Sequence, residues 1–216
     1  MQKRIVLFLI IFFSTVSAGM LSAQTTDTLV VDSGDSDADI TMSYTLSIQS
    51  EKKNGIAESY NGAIKTIYVS NGQARNRLVS LMRVQSVFYA LNNKKETITI
   101  VKESGKDKTK TILNSAQWGQ YNRKYNNATV ELKEDSLIVF GYNCKRAIVK
   151  LSDGKEIDVY YAPGPSSHIF GLLEPAFSGI PGLVMRYEYT NDHAVFTYTV
   201  TEVSRNIINP KVFKLP

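Results

Sequence analysis

Residues 63–82 read AIKTIYVSNGQARNRLVSLM, and this stretch indicates the fold class because it contains a strand–turn–strand pattern that recurs along the rest of the chain. Two strand-like runs lie on either side of Asn71 and Gly72. An Asn-Gly pair in this position favours a tight two-residue turn, because both central residues of that turn need a positive φ. The stretch therefore predicts a β-hairpin.

The same pattern extends along the chain. Residues 40–49, ITMSYTLSIQ, alternate apolar and polar side chains with a period of two, which is typical of a half-buried strand. Further strand–turn–strand patterns turn at residues 92–95, at residues 152–155 and at residues 191–192. About ten or eleven strands follow one another without helical crossovers. We therefore predict a mainly β protein, an antiparallel meander forming a half-open or closed β-barrel, with one or two short helices and a long Pro/Gly-rich loop.

The first 24 residues have the three-part pattern of a secretory signal peptide. Lys3 and Arg4 form a basic head, an apolar run covers residues 5–13, and the small residue Ala23 precedes the expected cleavage site. A membrane anchor is the alternative interpretation, but the unbroken run is shorter than the ~20 residues that span a bilayer. After cleavage, nothing in the rest of the sequence predicts a transmembrane helix.

The remaining sequence divides into two parts. Residues 25–39 are polar and acidic, as in a disordered leader, and residues 40–216 are predicted to form a single β-rich domain. Removal of Lys3 and Arg4 lowers the formal net charge of +5 by two. The remaining cations are scattered through strand-like segments, so we expect no nucleic-acid partner.

The sequence contains no recognisable catalytic, cofactor-binding or metal-binding motif. It lacks a nucleophile elbow, a paired-Cys or His-Glu zinc motif, a P-loop and a dinucleotide fingerprint. Cys144 is the only cysteine, so no internal disulfide is possible, and its strand-like context predicts a small buried hydrophobe. We therefore predict no enzyme activity and no cofactor. A carboxylate pair brought together only by folding is the route to an enzyme that sequence does not exclude.

Residues 115–128 break the alternation. Trp118, Tyr121 and Tyr125 are three and four residues apart, so one short helix places all three rings on one face. Such an aromatic stripe favours a place in the core, and a ligand-facing surface is the alternative.

Residues 162–189, APGPSSHIFGLLEPAFSGIPGLVMRYEY, break the alternation again. Four prolines and four glycines punctuate this segment, yet it carries too many apolar residues for a solvated loop, so it covers the sheet or contacts a ligand or partner. Pro181 and Gly182 fit the centre of a type II turn, which needs a positive φ at the glycine. The candidate ligand or partner contacts are Trp118, Tyr121, Tyr161, Phe170, Leu172 and Phe177.

Three ordered motifs, GYNCKRA, VYYAPGP and FSGIPGL, are followed by a strand, and together they resemble the GLPGLI family of Bacteroidota envelope proteins. The family motif is read here as Gly179, Ile180, Pro181, Gly182 and Leu183, followed by Val184. The Trp-Tyr strand end of the family appears as Tyr160-Tyr161, so the tryptophan is lost. The resemblance implies an exported protein with a fold similar to the half-open barrels of Lol-type lipoprotein carriers.

The expected function follows from the predicted barrel, the apolar segment and the predicted signal peptide. We predict a non-catalytic cell-envelope protein, in the periplasm or associated with the outer membrane, that binds a lipid, acyl chain or lipoprotein in its concave sheet. Secretion is a further possible destination. The alternative is a structural or interaction module that docks an outer-membrane protein through the Pro/Gly-rich loop or an exposed strand edge.

Overall fold

The computed structural model describes residues 39–50, 55–92, 95–166, 168–191 and 193–216. The predicted signal peptide and, apart from Asp39, the predicted acidic leader lie outside the described residues. The strands are β1 (Ile40–Ser50), β2 (Ile64–Ser70), β3 (Gln73–Val79), β4 (Arg83–Asn92), β5 (Lys95–Ser104), β6 (Asp107–Leu113), β7 (Thr129–Val139), β8 (Tyr142–Lys150), β9 (Glu156–Pro163), β10 (Gly182–Asn191) and β11 (Ala194–Ser204). The helices are α1 (Gly55–Tyr60), α2 (Ser115–Tyr121) and α3 (His168–Leu173), with 3₁₀ turns at Arg123–Tyr125, Pro175–Phe177 and Pro210–Phe213.

The predicted mainly β fold is confirmed, and the hairpin predicted at Asn71 and Gly72 is present. Ser70 of β2 pairs with Gln73 of β3. Between them, Asn71 has φ 45° and Gly72 has φ 70°, the left-handed values that this turn requires. The hairpin β8–β9 likewise turns around Asp153 and Gly154, where the glycine has φ 81°.

In the described residues, all the strands belong to one 11-stranded sheet in the order β6-β5-β4-β3-β2-β1-β11-β10-β9-β8-β7. Each described pairing is antiparallel. The sheet therefore consists of two meanders that are joined where the first strand pairs with the last. The strands β6 and β7 lie at opposite edges, so the barrel is not closed, and the connection 114–128 with α2 leads from one edge to the other.

The sheet is strongly curled. Ile100 of β5 and Ile157 of β9 line the same pocket. These strands are separated by seven inter-strand steps in the sheet order, which would place them roughly 34 Å apart in a flat sheet at the usual strand spacing. The concave face therefore encloses a space between the two meanders.

The C-terminal tail packs on the opposite, convex face. Ile208 is buried, and its backbone N–H donates to Asp39 Oδ2 at 2.6 Å. Arg75 of β3 donates from Nη1 to the carbonyl oxygen of Val212 at 3.0 Å, and its guanidinium lies over the ring of Phe88 at 4.7 Å. These contacts tie the end of the chain to the beginning of β1 and to the outer side of β3 and β4.

The Pro/Gly-rich segment, residues 163–181, folds onto the concave face. It contains α3 and the Pro175–Phe177 turn, and Ile169, Leu173 and Ile180 are buried. Its apolar side chains therefore complete the core.

The predicted type II turn at Pro181 and Gly182 is wrong. Gly182 is not among the residues with a positive φ; it begins β10 and pairs with Pro163 of β9. A Cβ atom on Gly182 would lie 2.1 Å from the carbonyl oxygen of Ala162 and 3.0 Å from Cδ2 of Tyr161. Glycine is thus required here because strands β9 and β10 approach each other closely, and its conformational freedom is not used.

Candidate functional site

A pocket of about 440 Å³ lies between the concave sheet, the connection 114–128 and residues 173–177. This volume is within the ~300–1,000 Å³ that is usual for small-molecule sites. Most of its buried or half-buried wall is apolar or aromatic, and includes Val87, Ile100, Leu173, Phe177, Tyr187 and Tyr198. Asn76, Asn122 and Glu174 are the polar side chains of that wall. Exposed polar side chains also border it, among them Gln85, Lys124, Asp153, Lys155, Glu156 and Asn191.

One wall of this pocket is built by α2. Asn114 caps the helix: its Oδ1 accepts from the backbone N–H of Gln117 at 2.9 Å, and Gln117 Oε1 accepts from the N–H of Asn114 at 3.0 Å. This reciprocal capping box explains why the helix begins here. Trp118 is buried, and its Nε1 donates to the carbonyl oxygen of Leu172 at 2.8 Å, which ties α2 to α3.

Two of the predicted aromatic residues form a stack at the pocket. The rings of Trp118 and Tyr121 lie 5.5 Å apart with an interplanar angle of 9°. Trp118 is 8% exposed and Tyr121 is 53% exposed. Tyr125 also lines the pocket, so the aromatic stripe serves both the core and the pocket wall.

A buried ion pair joins the floor of the concave sheet to the Pro/Gly-rich segment. Lys65 of β2 is 4% exposed and lies directly opposite Tyr44 of β1. Its Nζ forms a salt bridge with Glu174 and donates to the hydroxyl of Tyr187 at 3.0 Å. The second carboxylate oxygen of Glu174 accepts from Asn76 Nδ2 at 2.7 Å.

Three aromatic rings surround the ammonium group of Lys65. Nζ lies 5.0 Å from the ring centre of Tyr44, 4.9 Å from that of Tyr187 and 5.4 Å from that of Tyr198. These distances are within cation–π range, and the rings partly replace the water that a buried cation loses. Glu174 supplies the counter-charge, so both charged ends have hydrogen-bonding partners.

Burial sets the protonation of this cluster. Desolvation lowers the pKa of Lys65 from its usual value, while the neighbouring carboxylate of Glu174 opposes that shift. Desolvation raises the pKa of Tyr44 and of Tyr187 well above the usual range. The tyrosine hydroxyls therefore stay neutral, and that of Tyr44 donates to the carbonyl oxygen of Val184 at 2.7 Å.

A second pocket, of about 230 Å³, lies between the Pro/Gly-rich segment and strands β1, β2 and β10. Its lining includes Phe170 and Leu172, with Ser166 and the exposed His168. Glu174 and Phe177 line both pockets. The two cavities therefore share part of their wall at this short stretch of chain.

The structure places the predicted contact residues in three locations. Trp118, Tyr121 and Phe177 line the larger pocket, and Phe170, Leu172 and Phe177 line the smaller one. Tyr161 lines neither of these pockets: it is 3% exposed and packs in the core close to Gly182.

Sequence reasoning missed the buried ion pair. One signal was available: Lys65, Ile67 and Val69 alternate on the inward face of β2, so a lysine occupies an apolar position. Its partner, Glu174, lies more than one hundred residues away in an irregular stretch, and no local pattern indicates that the two meet.

The residues of the GLPGLI-like motif take part in packing. Ile180 and Leu183 are buried, and a Cβ on Gly179 would lie 2.9 Å from Cγ2 of Val130. Cys144 is fully buried, as predicted, and burial raises the pKa of its thiol to about 11. The motif thus packs the end of the Pro/Gly-rich segment against the sheet.

Two further properties hold for the part of the chain that the structure describes. It has no group of three or more His, Cys, Asp and Glu side chains that could hold a metal ion. None of its helices has the length and apolar character needed to cross a bilayer.

No family model matches the chain, and no curated protein sequence matches it. Among solved structures, the fold is similar to a structure of PNGF-II, with 15% sequence identity and a TM-score of 0.43. The similarity covers 81% of this chain and 29% of that one, so this chain spans less than a third of the length of its structural neighbour.

Proposed function

We propose that this protein is a non-catalytic binding protein of the cell envelope that holds a single-chain amphiphile, such as a fatty acid or an acyl group, in the larger pocket. The observation that carries the proposal is the arrangement of the lining. Most of the buried or half-buried wall is apolar or aromatic, with Asn76, Asn122 and Glu174 as its polar members, and exposed charged and amide side chains border the opening. An amphiphile has this same division between an apolar chain and a polar end.

Burial of the ligand's alkyl chain supplies the driving force for binding in this proposal. Each methylene group removed from water contributes about 0.8 kcal/mol, so contact with Val87, Ile100 and Phe177 favours an alkyl chain. The polar end lies near Lys155 and Asn191 at the opening. The envelope location rests on the signal-like N-terminus and on the resemblance to the GLPGLI family.

The test uses the single tryptophan of the chain as the reporter. Because Trp118 lines the pocket, titration with palmitate changes the fluorescence of Trp118 in a saturable way if palmitate binds in the pocket. Lipid extraction and mass spectrometry of gently purified protein give a second readout. Absence of both a saturable change and a co-purified amphiphile contradicts the proposal.

A matched pair of variants tests where the alkyl chain of palmitate binds. Val87→Thr introduces a hydroxyl into the pocket wall, whereas Val101→Thr makes the same change on the opposite face of the sheet. Both side chains are buried, at 8% and 2% exposure. We expect Val87→Thr to weaken palmitate binding by about fivefold, the equivalent of roughly 1 kcal/mol, and Val101→Thr to leave it unchanged. Equal weakening by both changes contradicts binding in this pocket.

The alternative of docking an outer-membrane protein through the Pro/Gly-rich segment draws on fewer observations. Ile169, Leu173 and Ile180 of that segment are already buried in the core. Phe170, Leu172 and Phe177 of the segment stay partly exposed, and of these Phe170 and Leu172 lie outside the larger pocket. Replacing both with serine and repeating a pull-down from envelope extracts tests this alternative.

A further inference from the structure

The turn between β3 and β4 presents two neighbouring apolar side chains to solvent. Leu81 is 85% exposed and Met82 is 68% exposed. The turn is well fixed, because the N–H of Ser80 donates to the carbonyl oxygen of Arg83 at 2.9 Å and the N–H of Leu81 donates to that of Ser59 at 3.3 Å. A turn normally carries polar residues or glycine. The exposed apolar tip formed by Leu81 and Met82 therefore suggests a contact with another surface.

The apolar tip lies at the end of the sheet where the larger pocket is bordered by turns. Antiparallel pairing places the β3–β4, β8–β9 and β10–β11 turns at this same end. Asp153 and Lys155 of the β8–β9 turn and Asn191 at the end of β10 line the pocket. So does Gln85, three residues after Met82 on β4. A surface that contacts the tip therefore also faces this side of the pocket.

Basic side chains lie beside the tip on its β4, β5 and β6 side. Arg83 lies beside it and pairs in register with Ser104, next to the β5–β6 turn. The exposed cations at this part of the sheet are Arg83, Lys102, Lys106 and Lys108. They outnumber the two acidic residues of the same strand ends, Glu103 and Asp107, and Lys108 already lies 3.7 Å from Glu103. The excess of cations is confined to this side of the tip, since the exposed Glu58 of α1 lies on the other side, next to Ser59.

We propose that the protein docks on an anionic lipid surface through this tip, with Leu81 and Met82 in the interfacial layer and the neighbouring cations at the lipid phosphates. An apolar edge flanked by Lys and Arg is the pattern of interfacial membrane binding. The charge is what favours an anionic lipid surface over a neutral one. The inference goes beyond the proposed function, since docking is measured without any ligand in the pocket.

The experiment is sedimentation of the purified protein with vesicles of phosphatidylcholine alone and with vesicles that also contain phosphatidylglycerol. The test variant is Leu81→Ser with Met82→Ser. The matched control is Ile138→Ser with Phe140→Asn, which removes two similarly exposed side chains, at 73% and 50%. These lie at the β7–β8 turn, at the opposite end of β8 from the pocket. Phe140 has φ 50°, which asparagine adopts readily.

We expect binding to the phosphatidylglycerol vesicles, weakening as ionic strength rises because the Debye length shortens. The Leu81→Ser, Met82→Ser variant should bind at least tenfold more weakly, and the control variant should bind as the original protein does. No sedimentation of the original protein, equal binding to neutral vesicles, or equal loss in the control overturns the proposal. Palmitate titration of the same variants, followed through Trp118, shows separately whether the pocket binds an amphiphile.

Discussion

Replacing Glu174 with alanine is the sharpest test of the buried ion pair. The change leaves the ammonium group of Lys65, which is 4% exposed, without its counter-charge. The amide of Asn76 also loses the acceptor that lies 2.7 Å away. Removing one partner of a buried pair costs 3–5 kcal/mol in other proteins. The side chain of Glu174 is 17% exposed, so we expect the lower end, about 3 kcal/mol of unfolding free energy.

The assay is urea denaturation followed by circular dichroism. A shift of the midpoint without a change in slope shows that stability alone has changed. The matched control is Glu131→Ala. Glu131 also has two basic partners, Lys133 and Lys150, but it lies on the surface. Surface pairs contribute little, so this control should unfold close to the original protein.

A double variant separates the loss of a pair from the burial of a lone charge. Lys65→Met with Glu174→Gln removes both charges while keeping similar side-chain volumes. Replacing a whole buried pair is often neutral or stabilising, so the double variant should be more stable than Glu174→Ala. If Glu174→Ala loses no more stability than Glu131→Ala, or if the double variant is the least stable of the three, the reasoning is refuted.

Three further predictions follow from packing and burial. Gly182→Ala should destabilise the protein by more than about 2 kcal/mol because its Cβ would overlap Ala162 O, whereas Gly119→Ala, with open space around it in α2, should stabilise by up to about 1 kcal/mol in the same denaturation assay. Burial raises the pKa of Tyr189 to about 12; an unfolded tyrosine titrates near ~10, so the unfolded state binds fewer protons between these values, and stability present below pH ~10 should be lost as pH rises to ~12, measured as joint changes in tyrosinate absorbance and circular dichroism. Cys144 is fully buried, with its thiol pKa raised to about 11, so a thiol reagent at neutral pH should react only as fast as the protein unfolds, and rapid labelling of the folded protein would contradict its burial.

Local sequence patterns predicted most of the sheet because hairpins are set by neighbouring residues. The Asn71-Gly72 pair adopts the positive φ values that its turn needs, and in the β8–β9 turn Gly154 supplies a positive φ of 81°. Period-two alternation in residues 40–49 correctly placed Met42, Tyr44 and Leu46 on one buried face. The aromatic spacing of residues 118–125 predicts one short helix, whereas α2 ends at Tyr121 and Tyr125 lies in the 3₁₀ turn that follows, so the prediction holds for Trp118 and Tyr121.

The candidate site was only partly predictable. The spacing of residues 118–125 points to Trp118 and Tyr121, the apolar content of the Pro/Gly-rich segment points to Phe177, and all three line the larger pocket. Tyr161 is also a predicted contact residue, but it lies in the core. The face on which an aromatic side chain ends depends on the bulges and connections around it, and sequence alone does not place these.

Local sequence is enough to predict the strands and their hairpin turns, and composition alone excludes an internal disulfide, because none of these depends on contacts between distant residues. Tertiary structure decided the pairing of β1 with β11, the curl that forms the pocket and the meeting of Lys65 with Glu174. It also decided why Gly182 must be glycine: the close approach of Ala162 leaves no room for a Cβ. These features join distant segments, and packing of the whole chain, rather than any local conformational preference, selects them.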